Sequence, residues 1–394
     1  MNSEISLITE KIENEIIGIS SFIFSHPELG DCEFKASAYL VKLLVKSGFR
    51  VRYPYEGLQT AFRAEYGNPD GVKVAFLAEY DALPGYGPKK QPAHACGHNW
   101  IAASAVGAAL ILSRMKELSG GCVVVIGTPA EETAGRKIDL LKAGAFDDID
   151  VVFQMHLAET TSLNTTALAI DPWMFEFFGK ASHAAASPFN GINALDAVNL
   201  TFTGIGALRQ QLRPDARVHG IVSDGGKTPN IIPSYAACKF YVRAADRAYL
   251  DEVSKKVKNC AKGAALMTGA KVKISQFENS FDDLQINPTL RELMKENLTQ
   301  CGIDDFCSEP HITGSTDIGN VSRRVPTFYG NIGVGNGTAG AHEEAFLKLV
   351  NSEEAHGKLL KVAEAFALSA CEIFRNPECL KIVRMEFEKA EEKN

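Results

Sequence analysis

The segment "PAHACGHNW" at residues 92–100 places His94, Cys96 and His98 at alternate positions, with only Ala and Gly between them. In an extended loop the three side chains point the same way, whereas in a helix His94 and His98 share a face without Cys96. Either conformation leaves two potential ligands together. Thiolate and imidazole ligands suit Zn, Ni, Co or Mn better than Ca or Mg. A helix beginning near Asn99 would also favour the thiolate form of Cys96, which binds metal ions and attacks carbonyl groups, so both chemistries stay open.

Further polar residues stand at the ends of apolar runs. The run "VKVAFLA" is followed by Glu79 and Asp81, "GCVVVIGTPA" is followed by Glu131 and Glu132, and "DVVFQMH" ends in His156. These runs alternate with helical segments such as "IAASAVGAALILSRMKEL", a pattern typical of a parallel sheet covered on both faces. Ligands of such α/β sheets bind beyond the carboxyl ends of the strands. We therefore expect carboxylates, imidazoles and a thiol to converge on one edge of the sheet.

The adjacent acids Glu131 and Glu132 could divide the work of a hydrolase. In an extended chain they point in opposite directions, so one could bind a metal ion while the other reaches a water molecule. A metal ion brings the pKa of its water to about 7 and polarises a carbonyl group. A carboxylate that removes the proton contributes typically about 10² to 10⁴ in rate. Amide hydrolysis needs both the metal ion and the carboxylate base.

The character of the chain changes near residue 170. The segments "PWMFEFFGKASH", "ARVHGIVSDG" and "SYAACKFYVRAA" indicate strands with mixed faces, and helical stretches lie among them at 193–213 and 246–268. This order suits a small α+β sandwich. We predict an α/β protein with a mainly parallel-sheet catalytic domain and an inserted α+β sandwich, which divide the chain at 1–170, 171–284 and 285–394. Such an insertion implies a hinge at both crossings.

The composition is that of an ordinary globular protein of two or three compact units. The chain has 394 residues, of which 45% are hydrophobic and 23% charged, with a formal net charge of −7. The acidic balance disfavours a nucleic-acid partner. The N-terminal segment is typical of neither a signal peptide nor a membrane span, so we expect a cytoplasmic protein without a membrane partner. The odd count of nine cysteines then predicts reduced thiols.

Eight motifs along most of the chain resemble those of a known family. They are "YDALPG", "HACGHN", "GTPAEE", "QMH", "GKASHAAASPFNGINALDA", "TPNIIPS", "GSTD" and "GAHEE". In these motifs and in their order the chain is similar to the dinuclear metal-dependent amidohydrolases and peptidases. That family includes aminoacylases, hippurate hydrolase, plant indoleacetyl-amino-acid hydrolases and carboxypeptidase G. The forms "AEYDALPG" and "HACGHN" most resemble the branch of p-aminobenzoyl-glutamate hydrolase and dipeptidases.

The resemblance implies a catalytic centre with two divalent metal ions per subunit, which would be Zn, Mn, Co or Ni. Cys96 would bridge the two ions, and the remaining metal ligands would be His98, Glu132, His156 and His342. Glu131 would be the general base. His94 would support the loop or the surroundings of the ligands.

The resemblance also implies roles for the inserted domain. This domain would form a homodimer, and its His183 would reach into the partner's site to stabilise the tetrahedral oxyanion. Asn230 in "TPNIIPS" and Arg243 in "YVRAA" would bind the carboxylate of the substrate, a group that the planar guanidinium of Arg suits. Closure of the domains would bring His183 and Arg243 to the substrate.

We therefore predict a metal-dependent hydrolase of small molecules that cleaves the amide bond next to an amino-acid carboxylate. The expected substrates are an N-acyl amino acid, p-aminobenzoyl-glutamate or a dipeptide. Two alternatives stay open. In the first, the chain is an amidase with Cys96 as nucleophile and His94 or His98 as its base, which would survive chelation and be lost to iodoacetamide. In the second, the chain is a non-catalytic small-molecule binding protein with the same fold.

Overall fold

The computed structural model describes residues 2–118, 120–308, 311–312 and 314–392. These residues form two compact units. The first unit comprises Met1–Thr166, Leu284–Thr313 and Asn320–Asn394, and the second comprises Ala167–Asp283 and Gly314–Gly319. The short segment Gly314–Gly319 thus belongs to the second unit although the chain has already returned to the first. The assignment of a catalytic and a dimerising role to the two domains stays a prediction.

The helices and strands follow one another along the chain as the sequence pattern indicates. The helices are α1 Asn2–Ser25, α2 Phe34–Lys46, α3 His98–Ser113, α4 Arg136–Lys142, α5 Ala194–Leu208, α6 Arg247–Thr268, α7 Pro288–Gln300, α8 Ile318–Ser322, α9 Glu344–Leu347, α10 Glu353–Arg375 and α11 Pro377–Glu391. The strands are β1 Arg50–Arg52, β2 Phe62–Gly67, β3 Lys73–Ala78, β4 Cys122–Gly127, β5 Val151–Ala158, β6 Thr165–Thr166, β7 Ala169–Phe178, β8 Arg217–Asp224, β9 Tyr235–Ala244, β10 Lys271–Gln276, β11 His311–Ile312 and β12 Thr327–Gly333.

The first unit is built on a six-stranded sheet in the order β1-β2-β4-β3-β5-β12. Strands β4, β3, β5 and β12 run parallel, whereas β1 and β2 form an antiparallel edge. All residues of β4 and β12 are buried, because helices cover both faces of a parallel sheet. This sheet confirms the predicted α/β architecture with a mainly parallel sheet.

Helix α3 is apolar on all sides and is buried along almost its whole length. It packs against strands β3, β4 and β5 on one side and against helices α1 and α10 on the other, which explains its lack of a polar face. Near its start the fully buried Trp100 donates its indole N–H to the carbonyl oxygen of Ala355, 2.8 Å away. This contact anchors the beginning of α3, and with it the segment that carries His98.

The turn into α3 requires a glycine. Gly97 has a φ of +86°, a left-handed conformation that a side chain disfavours. A Cβ at this position would also lie 3.4 Å from the side chain of Leu157. Gly97 therefore allows Cys96 and His98 to stand on either side of a tight turn that packs directly against β5.

The second unit is a four-stranded antiparallel sheet in the order β10-β7-β9-β8, with helices α5 and α6 packed against it. Most residues along β9 alternate between buried and partly exposed positions, as expected of a sheet with one covered face. Asn193 and Asp246 cap the two helices by accepting hydrogen bonds from Leu195 N and Tyr249 N. The unit confirms the predicted α+β sandwich. None of the helices in the described ranges is long and apolar enough to cross a membrane.

Candidate metal centre

All five predicted metal ligands lie together in the first unit, and we call them the candidate metal centre. Their potential donor atoms form two groups, and within each group all atoms lie within 4.8 Å of one another. The first group contains Cys96, His98 and His156, and the second contains Cys96, Glu132 and His342. Cys96 is common to both groups, which is the arrangement that a thiolate shared by two ions requires.

Four different segments supply these side chains. Cys96 and His98 flank the turn before α3, Glu132 stands in the turn after β4, His156 lies within β5, and His342 lies in the loop before α9. Cys96 Sγ is 3.4 Å from His156 Nε2, and Glu132 Oε1 is 3.2 Å from His342 Nε2. The expected convergence at the carboxyl ends of the strands is therefore present in the structure.

Asp81 orients the imidazole of His98, although it was not among the site residues predicted from the sequence. Its Oδ1 is 2.7 Å from His98 Nδ1, and its Oδ2 accepts a hydrogen bond from Glu132 N at 3.0 Å. His98 Nε2 is buried and has no hydrogen-bond partner among the described residues. Carboxylates that fix the far nitrogen of a ligand histidine are typical of metal sites. The position of Asp81 close behind β3 was the available sequence signal.

Burial raises the pKa of the Cys96 thiol well above its usual range, and the Glu132 carboxylate adds to this effect. This finding contradicts the expectation that the start of α3 would favour the thiolate. The helix does begin beside Cys96, but the loss of hydration on burial is the largest influence on the pKa of its thiol. A protonated, buried thiol is a poor nucleophile, whereas a bound cation favours the thiolate. The environment of Cys96 thus supports a metal ligand over an attacking group.

Glu132 and His156 are in the ionisation states that metal binding needs, whereas His98 and His342 are not. Burial lowers the pKa of His98, but its neighbours, led by the charge of Asp81, raise that pKa well above its usual range. A hydrogen bond to Glu132 raises the pKa of His342, so both imidazoles would lose a proton when an ion binds. Burial alone raises the pKa of Glu132, but His342 and His98 lower it to about 2. Burial and the neighbouring His98 lower the pKa of His156, which keeps its imidazole neutral. A neutral imidazole and an ionised carboxylate are the forms that bind metal ions. The grouping of sulfur, nitrogen and carboxylate oxygen atoms, with the orphaned His98 Nε2 among them, fits divalent ions with N, O and S ligands.

Glu131 Oε2 lies 4.0 Å from His98 Nε2, beside the candidate metal centre. The two acids Glu131 and Glu132 stand in a turn and not in an extended chain, because Ala130 adopts a φ of +53°. Ala130 N donates a 2.7 Å hydrogen bond to Glu33 Oε1, and this contact holds the backbone at the start of the turn. Glu33 therefore supports the segment that carries both acids, although it lies 97 residues away in sequence.

We expect Glu33 to make the stability of the protein depend on pH. Burial, followed by the charge of Asp81, raises the pKa of Glu33 from 4.5 to about 7. The folded chain then holds a proton that the unfolded chain releases, so the free energy of unfolding falls as pH rises from about 4.5 to 7, by about 3 kcal/mol in all. Glu33→Gln keeps an acceptor for Ala130 N but does not titrate.

Urea unfolding of Glu33→Gln and of the parent chain measures the free energy of unfolding of each. The two proteins are compared at several pH values between about 5 and 8, at equal metal content. The stability of Glu33→Gln relative to the parent chain should rise with pH across this range. A difference that is the same at every pH would contradict the prediction.

The remaining predicted residues lie in the second unit. His183 Nδ1 accepts hydrogen bonds from Ala185 N and Ala186 N, 3.3 and 3.1 Å away, so the neutral ring carries its proton on Nε2. Ala184 N donates to the carbonyl oxygen of Asn230 at 3.0 Å, so the segments that carry His183 and Asn230 are paired. Arg243 lies on β9.

The side chains of Arg243 and Asn230 differ in their hydrogen bonding. The guanidinium Nε of Arg243 is buried and has no hydrogen-bond partner among the described residues. The Asn230 amide oxygen accepts a 2.6 Å hydrogen bond from the hydroxyl of Thr228.

In the first unit, His94 is 1% exposed and belongs to none of the ligand groups that the described residues form. The supporting role of His94 stays a prediction.

Comparisons with known proteins place the chain in a family. A model of peptidase family M20/M25/M40 matches residues 75–369, which include the whole candidate metal centre. The Xaa-Arg dipeptidase of Mus musculus is 40% identical over 387 residues, which cover 94% of this chain and 88% of the mouse protein. One of the subunits of p-aminobenzoyl-glutamate hydrolase from Escherichia coli K12 is 33% identical over 306 residues, 74% of this chain and 63% of that protein.

Solved structures show the same fold. A Bacillus subtilis protein described as a dinuclear metal-binding peptidase of the M20 family matches with a TM-score of 0.71 and 22% identity, over 92% of this chain and 98% of that one. An aminobenzoyl-glutamate utilization protein from Klebsiella pneumoniae matches with a TM-score of 0.72 and 19% identity, over 93% and 98% of the two chains. The family model and the mouse relative each span most of this chain, and they confirm the resemblance found in the motifs. The chain belongs to peptidase family M20/M25/M40 and is an enzyme that acts on amide or peptide bonds.

Proposed function

We propose that the protein is a metal-dependent dipeptidase or acyl-amino-acid hydrolase that cleaves the amide bond next to an amino-acid carboxylate. The observation that carries this proposal is the pair of ligand groups that share Cys96, with the Glu131 carboxylate beside them. A binding protein without catalysis has no need of a second carboxylate placed next to the ligands in this way. The family membership agrees with hydrolysis.

The candidate metal centre would hold two divalent ions. Cys96, His98 and His156 would hold one, and Cys96, Glu132 and His342 would hold the other. When bound, such ions polarise a carbonyl group and make water a stronger acid. The donor set of sulfur, nitrogen and carboxylate oxygen suits Zn, Mn, Co or Ni.

In this proposal Glu131 moves the proton. Its carboxylate accepts a proton from the attacking water and later delivers it to the nitrogen of the leaving amine. The hydrogen bond from Ala130 N to the buried Glu33 fixes the backbone next to Glu131. The Glu131 carboxylate therefore starts from the same position in both transfers. A fixed position matters because proton transfer needs hydrogen-bond distances.

The second unit would bind the rest of the substrate. The hydrogen bonds to His183 Nδ1 leave the proton on Nε2, and an N–H at that position can donate to a developing oxyanion. We propose that it does so across a homodimer, in the partner's site. Asn230 and the guanidinium of Arg243 would bind the substrate carboxylate. The buried Arg243 Nε without a hydrogen-bond partner among the described residues supports a ligand there.

The relatives narrow the choice of substrate. The mouse protein is named for dipeptides that end in arginine, and the Escherichia coli protein for p-aminobenzoyl-glutamate. The higher identity to the dipeptidase, over nearly the whole chain, favours dipeptides with a basic C-terminal residue. We therefore expect Xaa-Arg and Xaa-Lys dipeptides to show the highest kcat/KM in a panel that also contains p-aminobenzoyl-glutamate and N-acetyl amino acids.

Turnover of this panel by protein reconstituted with Zn, Mn, Co or Ni is the test. The same panel after dialysis against a chelator separates the mechanisms. Loss of activity on chelation and its return with added ion would support the proposal. Activity that survives chelation and is abolished by iodoacetamide would establish Cys96 as nucleophile instead. Tight binding of a panel member without turnover, at full ion content, would favour the binding protein.

A further inference from the structure

Three buried polar side chains lie beside the candidate metal centre and have no role in the mechanism above. Lys137 is fully buried, and its Nζ is 2.5 Å from Glu79 Oε1. Gln154, which is 1% exposed, donates from Nε2 to the same oxygen at 2.6 Å. Glu79 itself is 1% exposed. A lysine and a glutamate buried in this way are rare in proteins unless they are paired.

The three residues lie in or next to segments that carry or contact the metal ligands. Glu79 directly follows β3 and precedes Asp81, which binds His98. Lys137 is on α4, which follows the turn that carries Glu132. Gln154 is two residues before His156 on β5, so the two side chains share a face of the sheet. The network of Lys137, Glu79 and Gln154 thus joins the segments that position three of the predicted ligands.

The carboxylate of Glu79 has two oxygens with different surroundings. Oε1 accepts hydrogen bonds from both Lys137 and Gln154. Oε2 faces the other way and lies 3.6 Å from His98 Nε2. Because Asp81 binds His98 Nδ1, Nε2 is the nitrogen that remains for a metal ion. The second oxygen of Glu79 is therefore turned toward the place where His98 would bind an ion.

The network contains a buried ion pair between Lys137 Nζ and Glu79 Oε1. A buried ion pair contributes little net stability, because desolvation of both charges offsets their attraction. Removal of one partner leaves a buried charge without compensation. General fold stability is therefore a poor explanation for the presence of this pair beside a metal centre.

We propose that Glu79 is a positioning residue that adds negative charge next to the ion bound by His98, and that Lys137 and Gln154 restrain its carboxylate and limit that charge. This inference rests on the proposed metal centre. It predicts that replacing Glu79 weakens the binding of metal ions, whereas replacing Lys137 does not weaken it. If the ion pair only stabilised the local structure, replacing either Glu79 or Lys137 would weaken metal binding to the same extent.

Zn²⁺ affinity of the purified full chain, measured by competition with a chromogenic chelator, is the test. Glu79→Gln removes a negative charge next to the ions and keeps the positive charge of Lys137, and we expect it to weaken Zn²⁺ binding by about 10- to 100-fold. Lys137→Met leaves the carboxylate uncompensated, and we expect binding at least as tight as in the parent chain. The double variant lacks both charges and should lie between Glu79→Gln and the parent.

A control is Arg63→Met, which breaks an ion pair of the first unit between the buried Arg63 and the exposed Asp148. It should lower the free energy of unfolding without changing Zn²⁺ affinity. Unchanged affinity in Glu79→Gln, or equal weakening in Glu79→Gln and Lys137→Met, would overturn the inference. If Lys137→Met does not fold, a double variant that binds no tighter than Glu79→Gln overturns it as well. Absence of Zn²⁺ binding by the parent chain would instead refute the proposed function.

Discussion

Glu131→Gln should bind metal ions as the parent chain does and lose most of its turnover. Gln has the shape of Glu but does not accept a proton at neutral pH, so the step that Glu131 is proposed to perform is removed. We expect kcat to fall by about 10² to 10⁴ with little change in KM, because general acid–base catalysis contributes on that scale. Steady-state kinetics on the best dipeptide of the panel, with ion content measured on the same sample, gives both quantities.

The neighbouring acid provides the matched control for this experiment. Glu132 stands in the same turn, and its Oε1 is 3.2 Å from His342 Nε2 in the second ligand group. Glu132→Gln should therefore lose bound ion, and its turnover should recover in part at high ion concentration. Unchanged turnover of Glu131→Gln at full ion content would remove Glu131 from the mechanism. Equal loss of ion from both variants would show that the two acids do not divide their roles as proposed.

Mixing two inactive variants should restore activity. If His183 of the partner subunit completes each site, a dimer of one Glu131→Gln chain and one His183→Ala chain contains one site with both groups intact. Random exchange of subunits makes half of the dimers mixed, so we expect about a quarter of the parent activity. Each variant alone should be strongly impaired, His183→Ala by about 10² to 10³ in kcat if it removes an oxyanion donor.

The experiment needs subunit exchange, which is checked by mixing chains that carry different tags. Restored activity supports both the dimer and the role of His183 across it. If the tagged chains exchange and the mixture stays inactive, His183 acts within its own chain. A chain that stays monomeric in solution while it turns over substrate would contradict the proposed dimer.

The candidate ligands could be predicted from sequence because their chemistry is local. Cys96 and His98 stand in a short motif, and Glu132 and His156 stand at or near the ends of apolar strands. The alternation of apolar strands and helices predicts a parallel sheet, and a parallel sheet brings its carboxyl ends to one edge. His342 is different, because it lies in a loop far along the chain and was identified only by the family resemblance.

Other features of the site depend on contacts between distant segments. Glu33 is 97 residues from Ala130, and Glu79 is 58 residues from Lys137. Periodicity and short motifs report on neighbours in sequence, so they predict neither the pairing of Lys137 with Glu79 nor the support of the acidic turn by Glu33. An extended chain would point Glu131 and Glu132 in opposite directions, but both stand in a turn that follows Ala130, whose φ is positive and whose N–H donates to Glu33.

The sequence by itself determined the types and order of the chemical groups, the α/β and α+β units, and the membership of a hydrolase family. Only the tertiary structure decided the ionisation state of those groups. The motif around Cys96 favours a thiolate at a helix start, yet burial raises the pKa of the thiol. The physical reason is that ionisation depends on hydration and on charges several ångströms away. Both are set by segments that meet only when the chain has folded.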